Sequence, residues 1–398
     1  MESETGEPQI LGFAPERLQR IGTAFEREIE AGTLPGCVVA IARQGELAFH
    51  DAFGYLDAAA RTSMPKDAIF SIASMTKPIV TVGALMLYEE GRLMVNEPVG
   101  KYLPKLAGMR VGTPGCDGSP AQTVDLVREM TIQDLMRHTA GVSYGRGNTP
   151  LHAIWPAGSA IAAAKWSGSE FIDSIAALPL HFQPGSSWEY SLGLDVLGLA
   201  IEAVAGKPLR EYLAERLFSP LGMRDTGFVV PPGAIGRYAR ALANDPLTRE
   251  PQTLRDGTRL YKFDCGGGCA VSTAVDYLRF AQMLLNGGEL DGVRILGRKT
   301  VEYMTADHMG PEIDATRLHA YPNINGYGFG LGVAVRRGPG VSGVNSSPGE
   351  FHWAGSTGTY FWCDPVEDLA VVFMTHAPGA IRYYHRQLMH ALVTQALE

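Results

Sequence analysis

The sequence predicts an α/β fold of the α+β type, an antiparallel sheet flanked by helices with a mainly helical region inserted between its parts. Three observations carry this. Strand-like runs gather near the two ends of the chain, at 36–54 and 326–375. Helical periodicity fills the middle. Neighbouring strands are joined by short connections, which suit antiparallel pairing better than the long crossovers of a doubly wound parallel sheet.

Taken in order, residues 14–32 place Leu18, Ile21, Phe25 and Ile29 on one helical face and stop at Gly32. Residues 36–43 and 46–54 read as two strands of a hairpin about Gln44-Gly45. A short strand at 67–72 leads into a helix whose apolar positions are Ile79, Val80, Val82, Ala84, Leu85, Leu87 and Tyr88, ended by Gly91. Helices follow at 131–138, 169–178, 191–205, 208–218, 273–286 and 297–307. Residues 105–125 and 144–166 read as long irregular connections, which in compact domains are often functional. Strands return at 326–336, 350–356, 358–363 and 368–375, and a helix at 379–397 closes the chain. The expected division is a discontinuous α/β domain, 1–75 with 235–398, and a helical domain, 76–234.

The 398 residues, 45% of them hydrophobic, suffice for a large core. The formal net charge of −8 and the lack of a basic stripe argue against nucleic acid as a partner. The acidic, polar N-terminus is unlike a secretory signal, and no apolar run of about 18 residues could span a membrane, so the expected location is the cytoplasm with no membrane association. Cys37, Cys116, Cys265, Cys269 and Cys363 form a sparse, odd set, read as reduced and mostly buried thiols. The Cys265-Gly-Gly-Gly-Cys269 spacing is a poor match to zinc ligands, and the ten histidines are scattered. No metal or organic cofactor and no obligate protein partner is implied.

The chemistry begins at Ser74-Met-Thr-Lys77. A spacing of three puts hydroxyl and amine on one helical face. A serine alcohol is a poor nucleophile until a neighbour takes its proton. Lys77 can do so if burial or charge lowers its pKa from about 10.4. Free N–H groups at a helix start favour the negative charge that develops during acyl transfer. The alternative makes Ser74 an N-cap and Lys77 a surface residue with a buried stem. A second copy of the spacing, Ser63-Met-Pro65-Lys66, lies in a polar run where Pro65 opposes a helix.

Acyl transfer also needs a proton shuttle and an oxyanion hole. Tyr190, in the run from Pro184-Gly185 to Ser191 just before a helix, is the first candidate for the shuttle, its phenolate favoured by a cationic lysine. Tyr321, in a Pro/Asn-rich loop, ranks below it. In the run 350–360, Gly355 lets the backbone approach a ligand closely, and an N–H such as that of Ser356 could face a carbonyl oxygen. Gly141-Val-Ser143-Tyr-Gly145 matches the G-x-S-x-G nucleophile elbow, but a helix precedes it and a loop follows, the reverse of the context that motif needs. His138, His352 and His376 are triad-base candidates that nothing singles out.

Ser74 to Lys77, Leu135 to Gly141, Pro184-Gly185 through Tyr190-Ser191, Gly266 to Thr273, and Trp353-Ala-Gly355 occur in an order and spacing that resemble the serine β-lactamase and penicillin-binding-protein superfamily. The likeness is greatest to class C β-lactamases and their relatives, the family VIII carboxylesterases. The resemblance implies a β-lactamase/transpeptidase-like fold with the site in a cleft between domains. It implies acylation of Ser74, acid–base work shared by Lys77 and Tyr190, and an oxyanion hole from the N–H groups of Ser74 and Ser356. Two departures bear on substrate. Trp353 stands where β-lactamases of this branch carry the lysine of Lys-Thr-Gly, and Leu192 stands where they carry the asparagine of Tyr-x-Asn. Both favour neutral, apolar acyl groups over a carboxylate-bearing lactam. The expected function is that of a serine carboxylesterase acting on short-chain or small aromatic esters, with weak cephalosporin hydrolysis possible. Trp353, Gly355, Leu192, Met75, Tyr144 and Trp155 are the expected pocket residues. The alternatives are a class C-like β-lactamase, a D-amino-acid peptidase or acyltransferase, and a catalytically inactive binding module of the same fold.

Overall fold

A computed structural model of the chain describes residues 7–113, 122–321 and 324–398. At its centre is an eight-stranded sheet. In spatial order its strands are Tyr327–Phe329, Ala334–Arg336, Phe351–Ala354, Tyr360–Asp364, Leu369–Thr375, Gly36–Arg43, Glu46–Asp57 and Thr62–Ser63. Every neighbouring pair is antiparallel. Gly36–Arg43 is therefore an interior strand, and it joins the strands from the two ends of the chain by pairing with Leu369–Thr375. The hairpin turn falls at Gln44-Gly45, both with positive φ (55° and 80°), the conformation whose twist matches paired strands.

Gly36–Arg43 is buried along its whole length, because successive side chains feed two cores. Cys37, Val39 and Ile41 pack with Phe25 of helix Arg20–Glu30 and Met389 and Val393 of helix Ile381–Thr394. Val38, Ala40 and Ala42 face the larger core, which holds helix Ala274–Leu285 and the apolar side chains of helix Thr76–Glu89. Helix Thr76–Glu89 is buried from Thr76 to Leu87 and packs against helix Gly193–Ala205. Among the described residues no helix is long and apolar enough to cross a membrane.

Several expectations shift. The helix read over 14–32 is two, Pro15–Leu18 and Arg20–Glu30. The 208–218 helix changes to π geometry over Ala214–Phe218. The stretch 326–336 is two short strands joined by a turn. The connection read over 144–166 contains helices Pro150–Ala153 and Ser159–Lys165. The second is rich in alanine, which favours a helix without writing an apolar stripe. Part of the 105–125 connection, like Cys116, lies outside the described residues; its flanks Val111–Thr113 and Gln122–Val124 pair as strands. Ser63, read as loop, sits in the edge strand. Of the cysteines, Cys37 and Cys363 are buried free thiols, but Cys265 and Cys269 are joined in a disulfide, contrary to the reduced reading. A turn in which the Cys269 N–H donates to the Cys265 carbonyl brings their Cα atoms to 5.2 Å, within bridging distance.

One buried acid sets a pH dependence. Glu350 is fully buried and accepts from the Tyr327 hydroxyl at 2.9 Å, with His390 Nε2 3.2 Å away. Burial pushes its carboxyl from an ordinary 4.5 up to about 7. Between those values the folded chain keeps a proton that the unfolded chain releases, so this group's contribution to stability falls as pH rises through the window. Glu350→Gln removes the effect. Urea unfolding at pH 5 and pH 8 should show the variant gaining on the parent, as pH rises, by on the order of 3 kcal/mol. An unchanged difference between the two proteins would refute this.

Candidate active site

Ser74 follows a backbone kink. Ala73 adopts φ +44°, a left-handed conformation that costs a non-glycine residue roughly 1–3 kcal/mol and persists only where surroundings hold it. Three hydrogen bonds do the holding. The Ile72 N–H donates to Ala270 O at 3.0 Å, Thr357 Oγ1 to Ser71 O at 2.7 Å, and Thr76 Oγ1 to Ala73 O at 2.6 Å. Ser74 itself lies in a 3₁₀ turn, Ala73–Met75, one residue ahead of helix Thr76–Glu89. It is not the helix N-cap, which is Met75. Pro78 falls at the third position of the helix, where its missing N–H has no helical acceptor to lose.

Lys77 is fully buried, so the surface reading fails. Its Nζ donates to Gly267 O at 2.5 Å, Tyr144 Oη at 3.2 Å and Ser74 Oγ at 3.3 Å. It also lies 4.6 Å from the centroid of the Tyr190 ring. Behind it a buried polar chain runs from Tyr144 through Ser159 to Asp195: Tyr144 Oη is 3.0 Å from Ser159 Oγ, which donates to Asp195 Oδ2 at 2.7 Å. The other Asp195 oxygen accepts from the Gly267 N–H at 2.9 Å. Burial pushes the Asp195 carboxyl up to about 6, with nearby Lys77 pulling the other way. Gly267 must be glycine, because a Cβ there would lie 2.4 Å from both Asp195 Oδ2 and Ser159 Oγ. The loop closed by the disulfide thus presents Gly267 to Lys77 on one side and to Asp195 on the other.

Tyr190 reaches the same point from the segment before helix Gly193–Ala205, its phenol near enough to the Ser74 side chain for that hydroxyl to pull the phenol's pKa down. Trp353 Nε1 donates to Tyr190 Oη at 3.3 Å. The expected phenolate is not favoured in this arrangement. Burial pushes the phenol up, outweighing Ser74 and Trp353, which pull it down, so the neutral phenol is favoured.

These groups open on a hollow of about 980 Å³. Ser74, Tyr144, Tyr190, Trp353, Gly355 and Ser356 all line it. Gly355 is needed there, since a Cβ would come within 2.4 Å of Ile72 O, beside the nucleophile turn. Tyr321 is also in the wall, 5.3 Å from Tyr190 between ring centroids, but it makes no bond to Lys77. Three expected pocket residues are elsewhere. Leu192 and Met75 are fully buried in the large core, and Trp155 is buried with its indole N–H on Pro179 O at 3.2 Å. Leu192 and Met75 are the N-cap residues of helices Gly193–Ala205 and Thr76–Glu89, and both side chains turn into the core, so chain proximity to the site residues misled in both cases.

Ser143 of the elbow-like motif is fully buried, its hydroxyl engaged by Glu189 Oε1 and Tyr144 O. None of the three histidines serves Ser74. His376 accepts from Ser71 N and faces Ala239 O. His138 Nδ1 faces Ser191 Oγ at 3.1 Å. His352 lines the hollow with both nitrogens unpartnered and is held neutral by burial, down to about 3. Sequence reasoning missed Asp195, Ser159 and Gly267. Asp195 had left a trace, as a lone acid in the apolar run Gly193-Leu-Asp-Val-Leu-Gly-Leu.

The Beta-lactamase family model matches residues 22–395. The chain belongs to that family. This β-lactamase-family protein is 33% identical over 363 residues to Protein Rv1367c of Mycobacterium tuberculosis, with 88% of each chain covered. It is 29% identical to Esterase EstB of Burkholderia gladioli, with 90% of each covered. Among solved structures it superposes on EstCE1, described as a hydrolase with promiscuous acyltransferase activity, with a TM-score of 0.76 and 25% identity over 97% of this chain and 99% of that one. The β-lactamase/transpeptidase-like architecture expected of the sequence is thereby shown.

Proposed function

We propose that this β-lactamase-family chain is a serine carboxylesterase of the family VIII type, hydrolysing short-chain or small aromatic esters through an acyl-Ser74 intermediate. The observation that carries the reading is the meeting of Ser74 Oγ, Lys77 Nζ and the Tyr190 phenol at one hollow whose wall has Trp353 in place of a lysine. The esterase relative EstB supports it. In the proposed cycle Lys77 is the general base that takes the Ser74 proton as the oxygen attacks the ester carbonyl. Tyr190 gives its proton to the departing alkoxide. The phenolate left behind is then paired with the new Lys77 ammonium, which offsets the cost of ionising it in a buried place. That phenolate accepts a proton from the water that attacks the acyl group, and Lys77 returns a proton to Ser74. The N–H groups of Ser74 and Ser356 are the proposed donors to the oxyanion.

Trp353 stacks against Tyr321 (6.2 Å between centroids) and meets Phe329 edge-on (5.2 Å), so the acyl end of the hollow is aromatic and has no cation of its own at this position. Comparing kcat/KM for p-nitrophenyl butyrate and nitrocefin tests the reading. The ester should be preferred by on the order of 100-fold or more, since Trp353 brings no charge for a lactam carboxylate to its part of the wall. A preference for nitrocefin would move the assignment to a β-lactamase. The description of EstCE1 favours acyl transfer as a second activity of the same intermediate, read out as new esters when alcohols are present during turnover.

A further inference from the structure

Three donor groups outside the Ser74 constellation converge at the rim of the same hollow. His152 Nε2 lies 3.3 Å from Glu189 Oε1, and His181 Nδ1 lies 3.5 Å from that same oxygen. One ligand atom from each of the three residues falls within 4.8 Å of the others. Ligands about 2.1 Å from a tetrahedral ion sit about 3.4 Å from one another, so two of the three edges already have the required length. The rings are 4.3 Å apart between centroids and nearly perpendicular, which keeps their faces from blocking the common point.

The surroundings fit a built site. Thr149 Oγ1 holds His152 Nδ1 at 2.6 Å, turning Nε2 towards Glu189, as outer partners of metal-bound histidines do. The His181 backbone is fixed by its N–H on Gly141 O at 2.8 Å, and that of Glu189 by its N–H on His138 O at 3.0 Å. The two carboxylate oxygens are divided in their tasks. Oε1 faces both histidines and Ser143, whereas Oε2 pairs with Arg317, so the guanidinium can stay in place while Oε1 takes an ion. His152 and Glu189 line the hollow, which leaves a fourth position open to water or a small ligand. Three protein ligands with an open fourth position is a recurrent zinc arrangement.

We propose that His152, His181 and Glu189 bind one divalent transition-metal ion of zinc's chemical class at the rim of the hollow. The ion ties helix Pro150–Ala153, which follows Tyr144, to the residue just before Tyr190, and so braces one wall of the cleft. It is not required for the ester chemistry proposed above, and its test does not depend on that chemistry.

The full chain, stripped with a chelator and dialysed, is titrated with Co²⁺ and then back-titrated with Zn²⁺. Visible absorption follows the ion, and thermal unfolding is recorded with and without zinc. One Co²⁺ per chain should bind with the absorption of a tetrahedral nitrogen–oxygen site, be displaced by Zn²⁺, and raise the midpoint of unfolding. His152→Gln, His181→Ala and Glu189→Gln should each weaken binding at least tenfold, with the near-ultraviolet circular dichroism of the metal-free variants confirming the fold. His152 sits on a short helix at the rim, so its variant tests the site even if a substitution at buried His181 unfolds the chain. Absence of binding by the parent, or variants that bind as the parent does, overturns the proposal.

Discussion

Ser74→Ala should abolish ester hydrolysis, lowering kcat by on the order of 10⁴-fold or more, the scale seen when a serine nucleophile is deleted from a working set of groups. The change removes one oxygen from a partly exposed turn whose shape is held by Ile72, Thr76 and Thr357, so thermal stability should stay near that of the parent. A fluorophosphonate probe should label the parent once and the variant not at all. Ser143→Ala is the control. Its hydroxyl is buried against Glu189, away from the hollow's surface, so that variant should keep its labelling and most of its activity. The reverse pattern would return the nucleophile to the G-x-S-x-G segment and rule out acylation of Ser74.

Lys77→Met should cost on the order of 10³-fold or more in kcat, because the group placed to take the Ser74 proton is gone. Lys77→Arg should not restore activity, since a guanidinium cannot give up its proton near neutrality. A separate signature lies in stability. Lys77 lowers the Asp195 carboxyl, which burial has pushed up to about 6 from an ordinary 3.8. Without that cation the carboxyl moves higher still. A raised carboxyl pKa destabilises the folded state as pH rises through the window from the unfolded to the folded value. Lys77→Met should therefore go on losing stability to a higher pH than the parent does, and lose more in total. Adding Asp195→Asn should flatten the profile without recovering turnover. Urea midpoints measured from pH 5 to pH 8 decide this, and a profile parallel to the parent's would show that Asp195 and Lys77 are not coupled.

Much of the fold was legible because the apolar patterns are strong. The continuous apolar runs Gly36–Arg43 and Leu369–Thr375 read as strands of a sheet covered on both faces, and the family relation followed from short motifs kept in order. Legibility ended where packing rather than pattern decides. The Ala-rich helix Ser159–Lys165 has no apolar stripe to read, and the turn between Cys265 and Cys269 gives no sign in sequence of how close the two sulfurs come. Leu192 and Met75 show the limit most plainly. They lie beside Tyr190 and Ser74 in the chain, yet helical geometry turns their side chains into the core while their neighbours face the hollow.

The residues alone determined that a serine stands three positions before a lysine at the start of an apolar helix and that a tyrosine stands before another helix, because the apolar pattern around them fixes which segments are helical. Only the tertiary structure decided that the lysine is buried among Gly267, Tyr144 and Ser74, that Asp195 stands behind it, and that His152, His181 and Glu189 meet at the rim. Those meetings join segments far apart in the chain. Their energies depend on burial and on distances of a few ångströms, and neither is set until the whole core has packed.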